Sequence, residues 1–242
     1  MVNHLVMLHG FGCDSRVFQS IGTKLSKDHD VIMVDLPGHG QTKEQFRSFH
    51  YSAYQLLGAL GIYLKEPFTL LGWSMGGQIA LEMYKQKPEL IRSLVLISST
   101  PKFVASDDFE QGMNEAVFSK FKKGLKNDPK RTMDDFYSLM FAEKEEAGKY
   151  LPSLITQTPS LTTLNECMES FEKFDERDIL EDVNVPALIL TGDSDKIVDM
   201  KASEYMSGKA KNSILKIFKG AGHAPHLTRE EEVIDELTGF LG

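Results

Sequence analysis

Phe68-Thr69-Leu70-Leu71-Gly72-Trp73-Ser74-Met75-Gly76-Gly77 is the stretch on which the reading of this chain turns. A short apolar run meets a glycine, a serine follows in the spacing Gly-x-Ser-x-Gly, and an amphipathic run extends from Met75 to Gln86. The pattern predicts a buried strand that turns sharply into a helix, with small residues where the backbone folds tightest. Such a turn lifts a serine hydroxyl above the sheet edge and aims the first helical amides at the reacting centre. An inert glycine-rich turn is the plain alternative, and the strand before and helix after favour a reactive serine.

Further apolar runs lie on either side, at Leu5–Leu8, Val31–Leu36, Leu94–Ile97, Ala187–Leu190 and Ile214–Phe218. Their continuous rather than alternating character predicts strands buried on both faces, hence a parallel sheet between helices. Helices are predicted at about Tyr51–Leu64, Met75–Gln86, Asp199–Gly208 and Thr228–Leu241, which completes a doubly wound α/β order. The order breaks between about Pro101 and Asp182, a stretch rich in Phe, Met, Lys and Glu and punctuated by Pro129, Pro152 and Pro159. It reads as several amphipathic helices, a cap over residues 101–182 inserted into a core made of 1–100 and 183–242.

At 242 residues the chain can bury a full core, and its balance of 27 Lys+Arg against 35 Asp+Glu, a net −8, speaks against broad binding to nucleic acid or anionic lipid. Two cysteines, Cys13 and Cys167, make no disulfide framework or metal spacing and suit a reducing compartment. Met1–Asn3 carry no positive charge and Leu5–Leu8 is too short for a signal-peptide core or a membrane span. A soluble, cytoplasmic, unprocessed monomer is expected.

A serine near its free pKa needs a base, and the base needs a carboxylate to orient it. In this architecture the acid and then the histidine follow the serine, each on a loop at the end of a strand. Gly192-Asp193-Ser194-Asp195 and Gly220-Ala221-Gly222-His223-Ala224-Pro225 meet that order. Of seven histidines, His4, His9, His29, His39 and His50 precede Ser74, and His226 is expected to enter the last helix as a structural residue, which leaves His223. Asp195 is the candidate acid. Asp193 competes with it but can brace its own loop, and Asp199 reads as a helix N-cap. The amides of Met75 and of Phe11, in His9-Gly10-Phe11-Gly12, are the candidate oxyanion donors. Asp35-Leu36-Pro37-Gly38-His39-Gly40 reads as a structural loop, and Cys13 has no evident partner base. No HExxH or similar ligand spacing occurs, so no metal or other cofactor is expected.

Together these motifs resemble the α/β-hydrolase superfamily across the whole core. Within it the chain is most similar to the pimeloyl-[acyl-carrier protein] methyl ester esterase family of biotin synthesis. The features that carry this are Trp73 directly before Ser74, Ser98-Ser99-Thr100-Pro101-Lys102-Phe103 leading into the cap, Arg131-Thr132 followed by Phe136, and Ala221-Gly222-His223-Ala224-Pro225. The resemblance implies a Ser74, Asp195, His223 triad with Phe11 and Met75 at the oxyanion, and cap residues Phe136, Tyr137, Ser138, Leu139 and Met140 on the acyl chain. The implied activity is a cofactor-free serine carboxylesterase acting on a carrier-bound methyl ester through an acyl-enzyme.

Two features depart from the family pattern. Superfamily members usually begin with two more strands, one of them antiparallel, whereas the first strand here ends at His9-Gly10, leaving about six parallel strands. Asp134 and Asp135 also stand in a cap stretch where basic residues are expected. The neighbouring segment Ser119–Arg131 is basic instead: Lys120, Lys122, Lys123, Lys126, Lys130 and Arg131 stand against Asp128 alone. Such a run is usually a solvated face, and its functional reading is a dock for an acidic carrier protein. The rival readings are a menaquinone-pathway lyase of the same fold, a general short-chain carboxylesterase, and a non-catalytic ligand-binding protein. The lyase group tends to place Tyr before the serine and Arg after Ser-Met-Gly-Gly, where Trp73 and Gln78 stand here.

Overall fold

Each continuous apolar run forms a strand in the computed structural model, which describes residues 3–145, 151–155 and 157–242. The strands are β1 (His4–Leu8), β2 (Asp30–Val34), β3 (Phe68–Trp73), β4 (Ile91–Ile97), β5 (Ala187–Gly192) and β6 (Ser213–Phe218). They make one sheet in the order β2-β1-β3-β4-β5-β6, parallel throughout. The inner strands β3 and β5 are buried along their whole length, while the edge strands show Met33, Ile214 and Ile217 to solvent.

Parallel pairing demands a crossover after every strand. These are α1 (Gln19–Leu25), α2 (Phe49–Tyr63), α3 (Met75–Gln86) and α8 (Met200–Lys209), with α9 (Pro225–Thr228) and α10 (Glu230–Leu241) closing the chain. Helix α1 packs on α10 and α2 on α3. Helix α1 has no counterpart in the sequence reading: at seven residues, with Gly22 tucked under Met33, it is too short to display a period. His226 lies in the separate short α9 rather than in the last helix.

Between β4 and β5 the described residues form α4 (Glu115–Asn127), α5 (Pro129–Leu139), α6 (Leu151–Leu154) and α7 (Leu161–Lys173). This cap is stapled where the chain enters and leaves it. The Glu176 amide donates to the Pro101 carbonyl, and Asp175 accepts from Lys102 Nζ at 2.9 Å and Arg177 Nε at 2.8 Å. Among the described residues no helix is long and apolar enough to cross a membrane.

Strand order positions the site. Successive strands run to opposite sides of β1, so the carboxyl ends of β1 and β3 flank a crevice at which open parallel sheets bind ligands. Leu8 is in register with Gly72, which sets the loop after β1 against Ser74. Gly192 is in register with Phe218, which sets the Asp195 and His223 loops side by side.

Candidate active site

Ser74 has φ 54° and ψ −117°, a conformation that costs a side-chain-bearing residue about 1–3 kcal/mol and has to be imposed by its surroundings. The Ser74 amide donates to the Ile97 carbonyl at 2.9 Å, and the Ser74 carbonyl accepts from the Gly77 amide at 2.9 Å and from Ser99 Oγ at 3.0 Å. The turn can close only because its glycines are bare. A Cβ on Gly76 would overlap the Leu8 carbonyl oxygen, and one on Gly72 would overlap the Gly76 carbonyl oxygen. As first residue of α3, Met75 has an amide without an intrahelical acceptor. A Cβ on Gly10 would stand 3.3 Å from Ser74 Cβ, so the loop after β1 passes against the elbow, with Phe11 its next residue.

His223 Nδ1 lies 2.8 Å from Asp195 Oδ2, and both side chains are fully buried. The other carboxylate oxygen accepts from the amides of Ile197 at 2.8 Å and Val198 at 3.0 Å. An ionised carboxylate only accepts, so Nδ1 carries the proton and the Nε2 lone pair is left as a base, with no protein partner among the described residues. The backbone of His223 is fixed as well: its amide donates to the Met140 carbonyl at 2.7 Å, and its carbonyl accepts from Trp73 Nε1 at 2.8 Å. Asp193 and Asp199 are spent elsewhere. Asp193 Oδ1 accepts from the Gly220 amide at 2.7 Å, and Asp199 Oδ1 caps α8 at the Lys201 amide.

The other buried histidines are neutral. His9 joins the loop after β1 to the end of β2, donating from Nδ1 to the Gly10 carbonyl at 2.8 Å and accepting the Leu36 amide on Nε2 at 3.0 Å. Burial pushes its pKa below the usual imidazole range. Burial likewise pushes His39, on the Pro37 carbonyl, and His226, packed on Trp73 and Phe18, down to about 3. Cys13 is buried with its thiol pKa pushed up, which suits packing rather than nucleophilic attack.

A cavity of about 550 Å³ opens over Ser74 between the sheet and the cap. Its walls are apolar, with Phe11, Phe103, Phe121, Phe136, Met168 and Phe171 among them, and the exposed Lys120, Lys123, Asn127, Asp135 and Lys196 border it. Helix α5 turns Thr132, Asp135, Phe136 and Leu139 inward, an i, i+3/i+4, i+7 face. Tyr137, Ser138 and Met140 therefore stand off the lining. The Tyr137 hydroxyl donates to the Gly12 carbonyl at 2.6 Å, Ser138 Oγ to the Asp134 carbonyl at 2.9 Å, and Met140 is buried behind His223. Met75 and His223 are fully buried and do not line it either.

Sequence reasoning allowed cap Phe and Met residues to line an acyl tunnel but did not single out Phe103, Phe121, Met168 and Phe171. The helical spacing of Val117 with Phe121 and of Met168 with Phe171 marks one apolar helix face without telling cavity wall from core. Of the basic run, Lys120 and Lys123 border the cavity, while Lys122 pairs with Glu172 and Lys130 with Asp134.

The alpha/beta hydrolase fold family is matched over residues 3–230. A pimeloyl-[acyl-carrier protein] methyl ester esterase of Nitrosomonas europaea is 31% identical over 235 residues, covering 95% of this chain and 92% of its own. The enzyme of the same name from Legionella pneumophila is 30% identical, covering 98% and 94%. Among solved structures, an esterase from Exiguobacterium antarcticum superposes with a TM-score of 0.91 at 24% identity over 98% of this chain and 91% of its own, a likeness of fold. Since the match runs through sheet, elbow and cap alike, this chain belongs to the alpha/beta hydrolase fold family.

Proposed function

We propose that this chain hydrolyses the methyl ester of a pimeloyl group carried on acyl-carrier protein, in biotin synthesis, as a cytoplasmic, monomeric serine esterase. One observation carries the chemistry: a buried Asp195–His223 pair at 2.8 Å leaves Nε2 without a protein partner among the described residues, and the His223 carbonyl is held by Trp73, next in sequence to a serine on a strained elbow. The relatives' shared name supplies the substrate class.

Ser74 Oγ attacks the ester carbonyl carbon as His223 Nε2 takes the hydroxyl proton, and Asp195 stabilises the imidazolium. The amides of Phe11 and Met75 hold the oxyanion. Collapse breaks the bond to the methoxy oxygen, which leaves as methanol with the proton from His223. Water, deprotonated by the same nitrogen, then attacks the acyl-enzyme and frees the carboxylate and Ser74. The cap, residues 101–182, forms the lid, and its apolar wall takes the acyl chain at about 0.8 kcal/mol per buried methylene. Lys120 and Lys123 at the cavity border, with Lys126 and Arg131 beyond them, steer the acidic carrier so that its arm enters between cap and core, while Lys122 and Lys130 are partly neutralised by Glu172 and Asp134.

The test compares methyl-pimeloyl carrier protein with p-nitrophenyl butyrate. The carrier-bound ester is expected to show the higher kcat/KM, and Lys120→Glu with Lys123→Glu to lower that value and flatten its dependence on salt, since steering decays over a Debye length of about 10 Å at 0.1 M. Preference for the small ester, unchanged in the double variant, would leave a general carboxylesterase.

A further inference from the structure

The two loops that carry the candidate oxyanion donor and base are tied to one short stretch of the cap. Tyr137, half-buried near the end of α5, donates its hydroxyl to the carbonyl of Gly12 at 2.6 Å. Gly12 directly follows Phe11 and has φ +71°, and a Cβ there would come within 2.5 Å of Met133 Cε and 3.1 Å of the Tyr137 hydroxyl. The loop after β1 is thus seated in a notch of α5, and its backbone takes a conformation suited to glycine.

Eight residues further on, the Glu145 carboxylate is almost wholly buried. Its Oε2 accepts from the Ala142 amide at 2.8 Å and from the Gly222 amide at 3.0 Å, across to the loop after β6. The next amide of that loop, from His223, donates to the Met140 carbonyl at 2.7 Å. Gly222 is bare where a Cβ would stand 2.5 Å from the Met140 carbonyl oxygen and 3.0 Å from Glu145 Oε2. Trp73 grips the carbonyl of His223 from the core side. The buried carboxylate is a poor stabiliser. Among the described residues its Oε1 has no hydrogen bond, and the one cation paired with it, Arg229, stands 3.8 Å away. Keeping such a group buried costs free energy that a neutral, well-packed side chain would not.

We infer that Tyr137 and Glu145 are positioning residues that hold the Phe11 and His223 loops in register with Ser74, so that the cap is part of the catalytic alignment as well as a lid. This rests on the serine-esterase reading. Neither side chain lines the cavity, so their removal acts on the alignment of reacting groups and spares the binding of small substrates.

The full chain is assayed with p-nitrophenyl acetate as Tyr137→Phe, Glu145→Gln, Glu145→Ala and Ser74→Ala, with melting temperatures recorded alongside. A misplacement of about 1 Å costs on the order of 10²-fold, so a partial loosening is expected to lower kcat by about tenfold in Tyr137→Phe and about 30-fold in Glu145→Ala. KM is expected to stay within about twofold, and Glu145→Gln, which keeps an acceptor for the Gly222 amide, to recover most of the loss. Parental kcat in both Tyr137→Phe and Glu145→Gln, with Glu145→Ala either unfolded or equally active, overturns the inference. So does a loss confined to KM. Parental turnover in Ser74→Ala would instead overturn the serine-esterase reading itself.

Discussion

At the ends of β1, β3, β5 and β6 the candidate catalytic groups are held by backbone, through a serine at positive φ, glycines that admit no Cβ, and amides closing on Asp193 and Asp195. Across the cavity the cap works through side chains, with Phe136 edge-on to Phe11 at 5.5 Å and Phe171 tilted on Phe103 at 4.4 Å. Backbone constraint fixes a reacting atom to within fractions of an ångström, whereas an aromatic wall tolerates exchange of shape. The proposed reacting groups therefore sit on the sheet loops, steadied from the cap by Tyr137 and Glu145, and the proposed choice of acyl chain sits on the aromatic wall of the cap.

The sharpest way to break this division is to alter the reacting groups. Ser74→Ala, His223→Ala and Asp195→Asn are each expected to lower kcat by about 10⁴ to 10⁶ while the protein stays folded, as judged by steady-state turnover and circular dichroism. Asp193→Asn should do far less, because its oxygen serves the Gly220 amide. Equal damage from Asp193→Asn would reassign the acid.

Next in size is Gly76→Ala, whose Cβ overlaps the Leu8 carbonyl. It is expected to cost about 3 kcal/mol or more in urea unfolding, at the upper end for overpacking. A parental midpoint would show that the elbow is less constrained than its packing implies.

Acid should find the core before the cap, because none of the seven histidines lies between residues 101 and 182. His39 and His226 are pushed down to about 3 in the fold, by burial, against an ordinary 6.5. Between those values the unfolded chain binds more protons, so stability rises with pH up to about 6.5 and falls below it. Each histidine contributes a slope of up to about 1.4 kcal/mol per pH unit. His226→Leu should remove one such slope from denaturation midpoints measured between pH 4 and pH 7. An unchanged slope would mean that His226 titrates normally.

On the cap side, Phe136→Ala should lower kcat/KM for octanoyl relative to acetyl p-nitrophenyl esters by about tenfold, since only the longer chain reaches the wall. Equal losses would mean that Phe136 serves to hold the cap together. The smallest effect is expected on the outer face of α2, where a methyl at Gly58 or Gly61 meets open space. Each Gly→Ala change there should stabilise by about 0.5–1 kcal/mol with turnover unchanged.

The strands and the long helices were legible because β1, β3, β4 and β5 are buried on both faces and write themselves as unbroken apolar runs. The Asp195 and His223 loops were legible because strand ends and chain order leave few places for an acid and a base. The cavity wall was not. A phenylalanine that lines a cavity and one that fills a helical core have the same spacing, and only the fold tells Phe121 from Phe118. Tyr137 and Glu145 were the hardest, because each meets a backbone group 125 or 77 residues away and leaves no trace in local pattern.

Trp73 is the sole tryptophan, wholly buried, with its indole nitrogen on the carbonyl of His223 and its ring against His226. Every photon this protein emits on excitation of indole therefore originates beside the candidate base. A shift of the loop after β6 would break the indole hydrogen bond, and protonation of His226 would place a cation against the ring. The molecule thus carries an intrinsic optical probe at its candidate active site, placed to report movement of the loop after β6 without any label.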